Sequence, residues 1–117
     1  MGKDDAISRE WFAAIAEKKG FLERLFDAFL RNEPKRVEDI RAAIERDDFE
    51  RLRFLAHSLK GSAATMGAER LRTRCLEFEE AVKTKNRDRI RASFAALEHE
   101  VEDVFGYMRD YMNATAP

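Results

Sequence analysis

His57, Lys60 and Gly61, with Arg53 one turn earlier, form the grouping in this sequence whose residue types could do chemistry. At i+3, i+4 and i−4, the three neighbours border the histidine on one helix surface. A neutral imidazole Nε2 is a good nucleophile toward phosphorus. Phosphoryl transfer asks little covalent work of a protein; it needs in-line access and compensation of charge on the equatorial oxygens. An ammonium at Lys60 can supply that compensation. A residue without a side chain at position 61 leaves clearance for whatever approaches. Inside a helix a glycine costs about 1 kcal/mol relative to alanine, so Gly61 answers to something other than helix stability.

These residues need a helix that turns them outward. After Asp48, a good N-cap, the apolar residues Leu52, Leu55, Ala56, Leu59, Ala63 and Met66 recur at helical spacing. Their stripe centres near Leu52, Leu59 and Ala63, and His57 falls roughly 150° from that centre. Gly61 faces nearly opposite the stripe, which argues against its being there to fit a neighbouring helix. Position alone would make His57 an ordinary solvated histidine; its company changes the reading. Phe54 also faces largely outward and Ala64 is small, so with Arg53 they read as a docking surface. Leu76, which points away from its own apolar stripe of Leu71, Cys75, Phe78 and Val82, joins the same surface. His99 serves as a control: it too faces outward, but among Glu98, Glu100, Glu102 and Asp103, which would repel a phosphoryl group.

The rest of the chain reads as helices that hold this one. Ser8 caps a short first helix bearing Trp11, Phe12 and Ile15, which Lys19-Gly20 ends. Phe21, Leu22, Leu25, Phe26, Phe29 and Leu30 keep helical spacing up to Asn32-Glu33-Pro34. Pro34 suits the first turn of a following helix or a kink in one long helix, and the sequence leaves both open. Val37, Ile40, Ala43 and Ile44 carry the apolar face to Asp47. Gly67 interrupts the histidine-bearing helix. Asn86 stops the next, with Lys83 and Lys85 near its C-terminus. A last helix, from about Asp88 to about Met112, turns Ile90, Phe94, Leu97, Val101, Val104 and Met108 inward. Short connections imply antiparallel neighbours. The expected fold is all-α, an antiparallel up-down four-helix bundle with short additional N-terminal helices, in a single domain over residues 1–117.

Bulk properties remove several function classes. The 22 Lys and Arg nearly balance the 23 Asp and Glu, for a net charge of -1. That gives no basic excess for nucleic acid or an anionic membrane. No apolar run approaches the length that spans a bilayer. A lone Cys75 permits no internal disulfide, fits a reducing cytoplasm, and falls on an apolar stripe as a core residue. A di-iron bundle would place Glu three residues before each ligand histidine, where this chain has Phe54 and Ala96, so no metal site is expected. Arg51, Arg53, Arg70, Arg72 and Arg74 give the middle helices basic character, read chiefly as solvated faces. A monomer is expected.

The string Ala56-His57-Ser58-Leu59-Lys60-Gly61-Ser62-Ala63-Ala64-Thr65-Met66-Gly67-Ala68-Glu69-Arg70-Leu71 resembles the signature of histidine-containing phosphotransfer (HPt) domains, H-x-L-K-G followed by a second glycine and leucine. With the flanking helices in register, the likeness covers nearly the whole chain. The resemblance implies a four-helix bundle in which His57 accepts a phosphoryl group from a receiver-domain aspartate, or from a sensor kinase, and passes it to another response regulator. It implies Lys60 as charge partner, Gly61 as clearance and Gly67 as the closure of a helical hairpin. Glu79 matches the family's Gln or Glu that holds the imidazole through Nδ1. No cofactor is implied, since any Mg²⁺ would be bound by the partner receiver. Two alternatives stay open: a helical adaptor that binds a receiver or kinase without accepting phosphate, and a phosphotransfer domain excised from a larger hybrid or chemotaxis kinase.

Overall fold

Apolar residues returning every three or four positions can be buried together only if the chain is helical and the helices face one another. The computed structural model, which describes residues 2–116 (Met1 and Pro117 lie outside it, as does the Lys19 side chain), follows that pattern. A 3₁₀ turn at Lys3–Asp5 precedes five helices: α1 (Arg9–Ala16), α2 (Lys19–Glu45), α3 (Phe49–Thr65), α4 (Glu69–Lys83) and α5 (Arg87–Thr115). Helix α2 packs on α3, α3 on α4, α4 on α5 and α5 back on α2, closing a four-helix bundle. Every inward position expected on α3, on α4 and on α5 is buried.

The three bundle connections, residues 46–48, 66–68 and 84–86, share one construction. The middle residue of each turns left-handed, with φ 54° at Asp47, 67° at Gly67 and 55° at Lys85. After α3 the Gly67 N–H donates to the Ala64 carbonyl at 3.3 Å and the Ala68 N–H to that of Ala63 at 2.9 Å, the double closure of a Schellman motif. In the first and third connections the last residue then caps the next helix: Asp48 accepts from the Arg51 N–H and Asn86 from the Arg89 N–H. Asn86 thus starts α5 besides following α4. Only the middle connection uses glycine, for a steric reason. A Cβ on Gly67 would lie 2.4 Å from Cγ of Trp11, because the Ser8 N–H donates to the Gly67 carbonyl and lays α1 across the turn.

One boundary differs from the sequence reading, and a point it left open is resolved. Lys19-Gly20 opens α2 and does not end α1, which stops at Ala16; the Phe21 and Leu22 N–H groups already donate to the Lys18 carbonyl. Helix α2 also runs unbroken through Pro34. An internal proline costs about 3 kcal/mol, but Phe26 and Phe29 before it and Val37 and Ile40 after it are buried on one continuous face, and their burial outweighs that cost. Pro34 itself is exposed.

At 27 and 29 residues, α2 and α5 outrun α3 and α4, at 17 and 15. The excess is covered by α1 and the 3₁₀ turn. There Trp11 stacks on Phe26 at 6.3 Å, and Phe12 meets Tyr107 and Tyr111 edge-on at 6.2 and 5.6 Å. The site-bearing helix is thereby fixed at both ends, by Asp48 and by the clamped Gly67.

Candidate functional site

His57 lies exposed in the middle of α3, on the ridge between two open recesses of about 510 Å³ each. The first, between α2 and α3, has Phe29, Asn32, Glu33, Ser58, Gly61 and Ser62 in its wall with the histidine. The second, toward α4, joins His57 to Glu50, Arg53, Phe54, Glu79 and Lys83. Gly61 is exposed, and a Cβ built on it meets nothing within 4 Å. Internal packing therefore does not explain this glycine. What it leaves bare is the rim beside the imidazole.

Lys60 is placed differently from the mobile, solvated cation that the sequence suggests. Its Nζ lies 2.9 Å from Oε1 of Glu79 and donates to Oε2 at 3.2 Å, and both side chains are about four-fifths covered. Glu79 Oε1 is shut from solvent and, though close to the ammonium, receives no hydrogen bond in good geometry. Among the described residues, Glu79 makes its hydrogen bond to Lys60; none joins it to His57. It does share a recess wall with the histidine, so the expected imidazole partner is adjacent and engaged elsewhere. Lys60→Ala would strand this carboxylate, so it should cost about 1–3 kcal/mol, measurable by urea unfolding. Glu79→Gln in the same background should recover part of that loss.

The proposed docking residues divide. Arg53 and Phe54 line the second recess, with Phe54 63% exposed under the Arg51 guanidinium. Ala64 and Leu76 are exposed but line neither recess. Of the arginines read chiefly as solvated, Arg51, Arg53 and Arg72 are exposed and Arg74 pairs with Glu77 at the surface, while Arg70 is largely covered, binding Glu100 and Asp103 across to α5. Glu100, counted among the surface acids around His99, is buried by that contact. His99 itself is exposed, 3.9 Å from Asp103. Cys75 is fully buried, and burial, with the Glu79 carboxylate adding to it, pushes its thiol up to about 12. A thiol so placed is a poor nucleophile. Among the described residues no cluster of three or more His, Cys, Asp or Glu could hold a metal ion, and no helix is long and apolar enough to cross a membrane.

Sequence reasoning missed Glu33, which it treated as part of a break. This carboxylate is 4% exposed in the wall of the first recess. Arg36 Nη1 donates to its two oxygens at 2.6 and 2.8 Å, and Ser62 Oγ donates to Oε2 at 3.3 Å. Burial raises its carboxyl above the ordinary range, against the pull of Arg36 and Ser62. The signal was available: Glu33 stands seven residues from both Phe26 and Ile40, a core position on the α2 stripe.

With that geometry described, comparison with known proteins is direct. A family profile described as Hpt domain matches residues 24–107. Histidine-containing phosphotransfer protein 2 of Arabidopsis thaliana is 24% identical over 104 residues, 80% of this chain and 67% of the relative. The rice protein of that name is 24% identical over 87 residues, 73% of this chain and 58% of the relative. The chain thus spans roughly three-fifths to two-thirds of these plant proteins. Among solved structures, histidine-containing phosphotransfer protein B from Pseudomonas aeruginosa PAO1 superposes with a TM-score of 0.84 at 26% identity, covering 94% of this chain and 96% of that one.

Proposed function

The chain belongs to the Hpt domain family, and from that premise we propose that it is a phosphorelay intermediate carrying its phosphoryl group on His57. The observation that supports this site is the exposed imidazole on a ridge between two recesses, with bare backbone at Gly61 beside it. The Nε2 lone pair attacks phosphorus of an aspartyl phosphate on a receiver domain. The N–P bond forms as the P–O bond breaks, and the aspartate leaves as carboxylate. The reverse step loads a second receiver, and a sensor or hybrid kinase can load His57 in place of the first. Lys60 exchanges part of its contact with Glu79 for the phosphoryl oxygens. The chain acts as a covalent carrier without a nucleotide site or cofactor of its own; the Mg²⁺ that receivers use stays with them. We place it in the cytoplasm, as a monomer, without nucleic-acid or membrane partners.

The test is transfer from candidate receiver domains primed with acetyl phosphate. Label should move to this chain and leave again when an unphosphorylated receiver is added. A receiver that binds without passing label would favour a non-phosphorylated adaptor. Gly61 offers a sharper check, because stability and function should part. Gly61→Gln should be more stable by several tenths of a kcal/mol up to about 1, yet take phosphate more slowly from a receiver. A small donor such as phosphoramidate needs less clearance and should be less affected.

A further inference from the structure

We propose that the pair of buried Glu33 and half-buried Arg36 sets the equilibrium position of phosphoryl transfer at His57, with Glu33 driving the group toward the receiver and Arg36 holding it back. The inference rests on His57 being the phosphoryl carrier. It begins from a residue that the bundle does not need. A carboxylate in the stripe between Phe26 and Ile40 is one of two charged side chains, with Glu100, that are buried among the described residues. A buried ion pair replaced by apolar residues of similar size is often neutral or stabilising, so stability does not account for Glu33.

Its location does supply a reason. Glu33 and His57 wall the same recess, with Ser58, Gly61 and Ser62 between them. Ser62 joins the pair from the histidine's own helix, donating to Glu33 and accepting from Arg36 Nη1, each at 3.3 Å. A phosphohistidine brings close to two negative charges to the outer edge of this recess. The Glu33 carboxylate is almost wholly shut from water, so its field reaches the recess less screened than that of a surface acid.

Across the ridge, Glu79 in the wall of the second recess is likewise paired, with Lys60. On each side of the histidine, therefore, a cation is already balanced by a resident carboxylate. Arg53 is the recess-lining cation that makes no ion pair among the described residues. A carrier whose nearby cations, Arg53 apart, are already paired stabilises the phosphoryl group weakly and gives it up readily, which suits an intermediate that must unload.

The signature is a pair of opposite shifts. Glu33→Gln adds one unit of positive charge beside the recess and Arg36→Gln removes one, although both break the same contact. At equilibrium with a receiver domain primed by acetyl phosphate, Glu33→Gln should raise the ratio of phospho-His57 to phospho-receiver by about three- to tenfold. Arg36→Gln should lower it by a similar factor, and the double variant should return near wild type. A purely structural role would move both single variants the same way, and that result, or no shift in either, overturns the proposal. Should Arg36→Gln not fold, Arg36→Lys keeps the charge and should leave the ratio unchanged while Glu33→Gln shifts it; equal ratios in the two would again overturn it. Failure here is separable from failure of the functional reading. If the wild-type chain takes no label on His57, both fall; if it labels normally and the ratio does not respond as stated, only the charge argument falls.

Discussion

His57→Gln should reduce phosphate incorporation to background while the helical signal and melting temperature stay close to wild type. The imidazole is exposed and borders two open recesses, so its loss removes little packing, and surface changes of this kind usually fall within about 0.5 kcal/mol. The chemical loss should be complete, because neither the other histidine nor the cysteine is suitably placed. His99, the other histidine, stands among acids with Asp103 3.9 Å away. Cys75 is buried, with its thiol pushed up to about 12. His99→Gln should accordingly transfer phosphate like wild type. Label persisting in the His57 variant, measured on gels with a primed receiver, would move the site elsewhere.

Gly67→Ala should be the most damaging single-methyl change in the chain. Two costs add at this position. A left-handed residue with a side chain is disfavoured by about 1–2 kcal/mol, and Gly67 has φ 67°. The new Cβ would also stand 2.4, 2.6 and 2.8 Å from Cγ, Cβ and Cδ2 of Trp11, an overlap that α1 or the turn must move to relieve. Overpacking of that kind costs about 1–3 kcal/mol. The sum, roughly 2–5 kcal/mol, corresponds to a melting temperature lower by about 10 °C or more in a chain of this size. In a Trp11→Gly background, which removes Cβ as well as the ring, the steric share should disappear, leaving only the backbone cost. That non-additivity identifies the clamp. An equal penalty in both backgrounds would assign the whole effect to φ. Asp47 and Lys85 already occupy the same conformation with side chains in place, so backbone strain alone is tolerated in this fold.

These two residues also mark how far the sequence could be read. The exposure of His57 follows from its angle to Leu52, Leu59 and Ala63, because a helix buried along one stripe leaves the opposite side in water. The freedom around Gly61 is legible for the same reason. The inward faces of α3, α4 and α5 were readable from periodicity, since each is a single amphipathic helix. Pro34 was not decidable. Its local preference argues for a break, and only the burial of Phe29 and Val37 on either side carries the helix through. Glu33 was hidden by the same expectation: once a break is assumed, a glutamate beside proline reads as loop. The Lys60–Glu79 pairing was out of reach because it depends on how α3 and α4 rotate against each other, which no one-helix pattern specifies. Trp11 likewise reads as an amphipathic-helix residue, and its contact with Gly67 arises only when α1 folds back.

The identity of the phosphorylated atom decides the site. The decisive measurement is to load the wild-type chain from a primed receiver, digest it at alkaline pH and locate the phosphate by tandem mass spectrometry. Phosphate should be found on His57 and not on His99, as a phosphoramidate lost in mild acid and stable in base. An acid-stable ester on Ser58 or Ser62 in the neighbouring recess, or phosphate on any residue with His57 unmodified, would contradict it.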